Sequence, residues 1–308
     1  MIDLILAVFI DFTLGDPENF PHPVKLMGKI ISLEEKILRR IFRDNMLYFA
    51  GFLIVFINIT LSFSIPFYIL KILSPYRAIY HIVNIYLLYT TVAARCLSDE
   101  AKKVYRALEE SLDLARTRLS YIVGRDTQNL SREEIVRATV ETVSENTSDG
   151  IIAPLFYASI FGAPLALCYK MINTMDSMLG YKNEKYRKIG FFPAKTDDVA
   201  NFIPARLTGI LMILTHPFQI KRSLRIMLRD RRNHKSPNCG YPEAATAGIL
   251  GVQLGGSNYY FGELVEKPTI GDKLRPLEAE DINRTIKIMY LTEILYLAFY
   301  IVVWWCLK

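Results

Sequence analysis

The chain has 308 residues, 51% of them apolar and rich in Tyr (18) and Phe (17), and its 37 Lys and Arg outnumber 31 Asp and Glu for a formal charge of +6. So apolar a composition, with a positive mean hydropathy, argues against an ordinary soluble enzyme; the modest basic excess lies beside apolar segments and accompanies no nucleic-acid motif, so no nucleic-acid partner is expected. The cysteines at 96, 168, 239 and 306 include no C-x-x-C pair and support neither a zinc site nor a disulfide framework.

Leu4 to Ile10 is apolar, but Asp3 and Asp11 flank it and no Lys or Arg precedes it. A cleavable signal needs a basic start and a longer apolar core, so this segment is expected to be retained, with the polar loops facing the cytoplasm. The stretch Asp11-Phe12-Thr13-Leu14-Gly15-Asp16-Pro17 then leads to Pro21-His22-Pro23-Val24. It reads either as a rigid turn leaving a membrane helix, with Asp16 as a cap, or as a ligand-facing segment in which prolines hold His22 extended.

Met46 to Leu73 is long enough to span a hydrocarbon core, which takes about 20 residues, and only Asn58, Pro66 and Lys71 interrupt it. Arg77 to Leu97 is a weaker span, broken by His81 and Asn84. From Ser98 onward charged residues alternate with Val104, Leu108, Leu112, Ala115 and Leu119 at helical spacing, which predicts an amphipathic helix outside the membrane that Gly124 ends. Ser131-Arg132-Glu133-Glu134 has the form of a second helix start. On that helix Glu141 and Glu145 share a face, and Asp149 extends the row if the helix continues. The row is either a solvated acidic face or a divalent-cation site, because a bound cation relieves the like-charge repulsion.

Ile151 to Ile172 is apolar but broken by Phe161-Gly162-Ala163-Pro164. A re-entrant pair of half-helices is expected there, returning the chain to the side it left; such breaks are tolerated where they face protein or a cavity. Beyond it, Asn173 with Asp176 and Asp198 with Asn201 are pairs three residues apart, each on one helical face, and Asp197 adjoins the second pair. Helix capping explains any one of these residues but not all together; carboxylates next to carboxamides suit magnesium-phosphate binding. Arg206, entering the short apolar stretch Ile203 to Ile220, either grips a phosphate or carboxylate bidentately or snorkels to the interface.

Lys221, Arg222, Arg225, Arg229, Arg231 and Arg232 read first as a cytoplasmic membrane flank. They precede the densest polar stretch, Asn233 to Ala245 and on to Gly256, which reads as a turn-rich loop. There His234 and Lys235 point to an anionic substrate or to acid–base work, and Cys239 reads as a small turn residue before a nucleophile. Ile288 to Leu307 is a closing span, with Trp304 and Trp305 at the interface and Lys308 as anchor. No phosphate loop, no dinucleotide-binding glycine motif and no nucleophile elbow occur, so any nucleotide needs an unconventional site. Strand signals are sparse. The expected fold is all-α, a polytopic helical integral membrane protein forming a single membrane-embedded domain over residues 1–308, with 98–150 and 221–287 as its main extramembrane polar segments.

Taken in order, these segments resemble the cobinamide-phosphate synthase family of cobalamin biosynthesis (CobD/CbiB). The resemblance rests on Gly15-Asp16-Pro17 with Pro21-His22-Pro23-Val24, on Val123-Gly124-Arg125-Asp126-Thr127, and on Glu145-Asn146-Thr147-Ser148-Asp149-Gly150 with Ala153-Pro154-Leu155. It continues through Asn173-Thr174-Met175-Asp176-Ser177-Met178-Leu179-Gly180-Tyr181, Asp197-Asp198-Val199-Ala200-Asn201 with Pro204-Ala205-Arg206, and His234-Lys235-Ser236-Pro237-Asn238 through Leu254-Gly255-Gly256.

The resemblance implies a multi-pass cell-membrane ligase with a cytoplasmic site. It would condense adenosylcobyric acid with aminopropanol or aminopropanol phosphate, with ATP as co-substrate and Mg2+ as cofactor. ATP would phosphorylate the corrinoid carboxylate, and the amine would attack the acyl phosphate. Glu145, Asp149, Asp176, Asp197 and Asp198 would hold Mg2+, the last two being required for turnover. Arg125, Asn173, Arg206, Lys235 and Asn238 would bind substrate, and His22 or His234 would take the proton from the amine. The implied partners are the corrinoid, aminopropanol phosphate and the lipid bilayer, with homo-oligomerisation left open. Two other classes stay open: a transporter, since polar residues beside broken membrane helices also build substrate paths, and a magnesium-dependent membrane phospho- or prenyltransferase, suggested by Asp197-Asp198 with Asn201.

Overall fold

The computed structural model describes residues 1–308 apart from 18–20, 182, 261 and 308; the anchor expected at Lys308 therefore lies outside the described residues. The chain is helical almost throughout. In order it forms α1 (Ile2–Leu14), α2 (Pro23–Ile41), α3 (Leu47–Leu73), α4 (Arg77–Tyr89), α5 (Ala94–Glu110), α6 (Leu112–Ser120), α7 (Arg132–Thr147), α8 (Ala153–Leu179), α9 (Phe191–Ala200), α10 (Phe202–Leu214), α11 (Ile220–Asp230), α12 (Gly240–Leu250) and α13 (Glu280–Cys306). Two short antiparallel ribbons precede α13: β1 (Leu254–Gly255) pairs with β4 (Thr269–Ile270), and β2 (Asn258–Tyr260) with β3 (Glu263–Val265). Three helical runs are long and apolar enough to cross a membrane: Asp44–Leu73, Arg132–Leu179 and Glu280–Cys306. The protein is an all-α membrane protein. Its contacts group the chain into two compact units, Met1–Ala93 with Ala153–Asn201, and Ala94–Ile152 with Phe202–Lys308. Residues 98–150 and 221–287, the segments expected to lie outside the membrane, both belong to the second.

In the first unit α3 follows the expected span. One face, with Leu47, Ala50 and Ile54, packs on Met27 and Ile31 of α2 and on Leu167, Met171 and Met175 of α8. The opposite face leaves Phe49, Phe52, Phe56, Ile65 and Ile72 exposed, an apolar surface that lipid solvates without cost and water does not. The expected weaker span at 77–97 is not one. Helix α4 has 13 residues, too few for a crossing. The polar residues that interrupt its hydropathy tie it to α1 instead: the carboxylate of Asp3 meets His81 Nδ1 at 2.9 Å and accepts from Asn84 Nδ2 at 2.7 Å.

The break in α8 lies where proline and glycine placed it. Phe161 and Gly162 leave helical geometry, Gly162 at φ 68° and ψ −157°, and Pro164 follows. The Tyr157 and Tyr169 rings, on opposite sides of the break, stack with centroids 5.1 Å apart. Twelve residues of straight helix would separate them by about 18 Å, so the chain turns back on itself here.

In the second unit, α7 opens on a capping box: Ser131 accepts from the Glu134 backbone while Glu134 accepts from that of Ser131. Helix α7 packs on α5 and α13 through Val104, Leu108, Ile135, Ala138, Ile282 and Ile286, all buried, each large aliphatic side chain contributing about 1.5–3 kcal/mol. The amphipathic helix expected to run to Gly124 stops at Glu110, and Ser111 caps a separate α6. The segment read as a loop from Asn233 to Gly256 is a loop only to Cys239, because α12 begins at Gly240. Its glycines and alanines serve close helix packing: a Cβ at Gly248 would stand 2.5 Å from Ser223 Cα of α11.

Gly162→Ala forces an L side chain into a backbone region that is essentially glycine's own, at about 1–3 kcal/mol. Thermal denaturation in detergent is expected to show a lowered midpoint for this variant, whereas Ala158→Gly, in the regular part of α8, lowers it less.

Candidate functional site

The second unit gathers its ionisable groups where α7, the 231–239 loop and the first turn of α12 meet. Glu141 is 4% exposed and fully satisfied: Oε2 accepts from Arg125 Nη2 at 2.6 Å and Oε1 from the Gly255 backbone at 2.7 Å. Arg125 also donates to Asn258 Oδ1 at 3.0 Å, so its guanidinium is a structural partner of Glu141. One turn on, Glu145 Oε1 accepts from the Cys239 thiol at 2.8 Å. Burial, with the fields of Glu145, Asp149 and Glu243, pushes that thiol well above its usual range, and it stays a protonated donor. Cys239 is therefore no nucleophile at neutral pH.

Glu243, in the first turn of α12, is 3% exposed. Burial drives its carboxyl well above the ordinary range, Glu141 and Glu145 push the same way, and Lys267 and Arg125 oppose them only in part. Its Oε1 lies 3.9 Å from His234 Nε2. The separation is that of an ion pair, but burial lowers the imidazole below its usual value, so at neutral pH two neutral groups face each other. His234 Nδ1 accepts from the Ser236 backbone at 3.0 Å, which assigns the proton to Nε2. The imidazole thus presents an N–H. Above this buried floor, Glu145, Asp149 and His234 are part-exposed and Lys235 is exposed.

Arg206 does not snorkel. Its guanidinium lies 3.5 Å from the Phe202 ring centroid and 4.4 Å from that of Tyr241, and Nη1 reaches the Phe202 carbonyl at 2.5 Å and Asn238 Oδ1 at 3.4 Å. Stacked on two rings, it is a preoriented cation. The buried Asn238 anchors it.

The remaining predicted residues belong to the first unit. His22 caps α2: its backbone is extended, as the flanking prolines dictate, and its Nδ1 accepts from Val24 at 3.3 Å. That leaves Nε2–H facing Asp16 Oδ1 at 3.5 Å. Asp197 is buried and accepts from Asn201 Nδ2 at 3.0 Å, while Asn201 Oδ1 accepts from Tyr169 at 2.8 Å. Asp198 pairs with Lys195 at 3.1 Å. Gly180 lies so close to Asp176 that a Cβ there would collide with its carboxylate, and Asn173 is part-exposed one turn earlier.

The five carboxylates expected to hold Mg2+ are therefore divided, Glu145 and Asp149 in the second unit and Asp176, Asp197 and Asp198 in the first. Among the described residues no three His, Cys, Asp or Glu side chains converge as a metal cage. Mg2+ asks less, one or two carboxylates beside substrate phosphates. The part-exposed Glu145 and Asp149 fit that demand. The π-helical turn Ser148–Ile152 displaces Asp149 from the regular row its spacing predicts. Glu243 escaped the sequence reading because a Pro-Glu-Ala-Ala run in a supposed loop carries no sign of burial.

The family described as CobD/Cbib protein matches residues 4–289. The chain is 55% identical to the cobalamin biosynthesis protein CobD of Clostridium acetobutylicum, over 98% of each chain. It is 55% identical to that of Clostridium tetani, over 97% of this chain and 96% of the relative, and 48% identical to that of Listeria monocytogenes, over 93% of each. No solved structure matches.

Because the folded protein keeps a proton on Glu243 that the unfolded chain has already lost, stability falls as pH rises from the ordinary carboxylate range toward the folded value. Glu243→Gln, an uncharged near-isostere, removes that slope. Its melting midpoint at pH 8 is expected to exceed the wild type's by roughly 2–4 °C, while Glu243→Ala, which leaves a cavity, falls below it. A Gln variant with the wild-type pH slope would mean that Glu243 is charged in the folded protein.

Proposed function

The chain belongs to the CobD/Cbib family, and on that footing we propose that it acts in cobalamin biosynthesis as a membrane-bound, ATP-dependent amide-forming enzyme. The amine of aminopropanol, or of its phosphate, would be joined to the corrinoid carboxylate of adenosylcobyric acid. The observation that carries this reading is the family match over residues 4–289; beside it stands the geometry of His234 Nε2, 3.9 Å from the buried Glu243 carboxyl, with Glu145, Asp149 and Lys235 nearby. Acyl transfer needs such an arrangement, a fixed donor aimed where negative charge develops and cations and carboxylates for phosphate and Mg2+.

In this mechanism the terminal phosphoryl group of ATP passes to the corrinoid carboxylate, giving an acyl phosphate and ADP. Glu145 and Asp149 would hold Mg2+, which neutralises phosphate charge during that transfer. The amine then attacks the acyl carbon. His234, its ring held by the Ser236 amide, donates Nε2–H to the oxygen that becomes anionic, and Glu243, whose burial favours the protonated form, adds no competing charge beside it. Phosphate departs, the amide forms, and the amine's surplus proton leaves with the phosphate. Lys235 and the stacked Arg206 supply positive charge for phosphate oxygens. The proton-accepting role expected of a histidine passes away from His234, whose only unengaged ring nitrogen carries the hydrogen.

Purified protein given cobyric acid, aminopropanol phosphate, ATP and Mg2+ is expected to yield a corrinoid heavier by the aminopropanol phosphate unit, with ADP released. His234→Ala should lower kcat about 10²–10³-fold, the effect of removing one oxyanion donor, with KM little changed. A wild-type rate in that variant removes His234 from the chemistry. No amide from the wild-type protein, with corrinoid still bound, overturns the ligase reading in favour of carriage or binding.

A further inference from the structure

Beside the cluster, the second unit holds a separate cavity of about 110 Å3, lined by Arg137, Lys273, Arg275, Thr269, Glu133 and Gly255 among others. A buried water needs roughly 10–15 Å3, so a tetrahedral anion has room. Its walls are more basic than their own partners neutralise.

Arg137 Nε is buried and donates no hydrogen bond among the described residues. Its two nearest carboxylates are Glu134 at 3.8 Å and Glu141 at 4.0 Å, beyond hydrogen-bonding distance. Glu141 serves Arg125 and the Gly255 backbone, while Glu134 closes the capping box with Ser131 through Oε2 and turns only Oε1 toward Arg137. Lys273 stands 3.9 Å from Glu133, and both side chains are more than half exposed, so that pair is weak and easily exchanged. Arg275, by contrast, is saturated by Asp281 and by the Leu250 and Pro276 carbonyls, and acts as a wall. A guanidinium with an idle N–H, an exposed ammonium and Thr269 therefore line one small space. That donor set matches a dianion better than a carboxylate, and Arg with Lys is the pairing that grips phosphate oxygens.

We propose that this cavity binds a phosphate group, held by Arg137 and Lys273. The site is distinct from the His234–Glu243 pair, though Glu141 and Gly255 form part of the wall between them. The chemistry is common to a phosphorylated amine, the end of a nucleotide polyphosphate and free phosphate. The proposal does not depend on the ligase reading, because binding is read without turnover.

The test is 31P NMR line broadening and equilibrium dialysis on the full-length, detergent-solubilised protein at constant ionic strength. Inorganic phosphate, aminopropanol phosphate and ATP without metal serve as separate probes. At least one is expected to bind saturably, and Arg137→Gln should weaken it tenfold or more. Lys273→Glu changes a side chain that is 62% exposed and only loosely paired with Glu133, so it tests the site even where the arginine variant misfolds; it should weaken the same ligand at least tenfold. The probe that binds tightest identifies the source of the phosphate. Absence of saturable binding by all three, or an affinity unchanged in Lys273→Glu, overturns the proposal.

Discussion

The polar interior of the second unit depends on the buried ion pair between Arg125 and Glu141. Burying charge is costly, and removing one member of such a pair costs about 3–5 kcal/mol because the other is left uncompensated. Here the compensation is complete: a guanidinium on one carboxylate oxygen and a backbone amide on the other. Burial first, and then the neighbouring Glu141 and Glu145, raise the Glu243 carboxyl, with Lys267 and Arg125 opposing. Burial likewise lowers the His234 imidazole, against the fields of Glu145 and Glu141. The inner pair is thus disfavoured as an ion pair by the same enclosure that the outer pair withstands through its hydrogen bonds.

The same constraint explains the idle cation nearby. Arg137 and Arg125 approach Glu141 from different sides, and Glu141 has only two oxygens. Arg125 and the Gly255 amide each hold one of them at hydrogen-bonding distance, and Arg137 stays 4.0 Å from the same carboxylate, within ion-pair range but outside a hydrogen bond. The basic side of the cavity thus follows from where the hydrogen bonds of Glu141 are directed.

Much of the architecture was legible because it is written in local chemistry. The span at α3 follows from a long apolar run that Asn58, Pro66 and Lys71 interrupt only singly, α7 from its Ser131–Glu134 capping box, and the turn in α8 from Gly162 and Pro164, which leave no regular helix to continue. The failures share one cause: a residue's chemistry says what it can do, and only packing says what it does. His81 and Asn84 looked like defects in a span but bind Asp3. The glycines and alanines around α12 looked like a loop, yet they let α12 lie against α11 at backbone distance. Glu243 stands as the one carboxylate of the segment read as a loop, and only its burial marks it out. The site residues named from the sequence were found in both units, and the reading had no means of dividing them.

The two histidines singled out from the sequence show how far a single hydrogen bond can redirect a chemical role. Each is followed two residues later by a backbone N–H that its Nδ1 accepts, Val24 for His22 and Ser236 for His234. Each then turns Nε2 toward a carboxyl group, Asp16 or Glu243. Held in this way, each ring leaves Nε2 as the nitrogen that faces outward, and for His234, whose imidazole burial lowers, that nitrogen can polarise an oxygen without first having to lose a proton. The local turn, set by Pro23 in one case and by Ser236-Pro237 in the other, thereby chooses between donor and base before any substrate arrives. Composition alone would have allowed either.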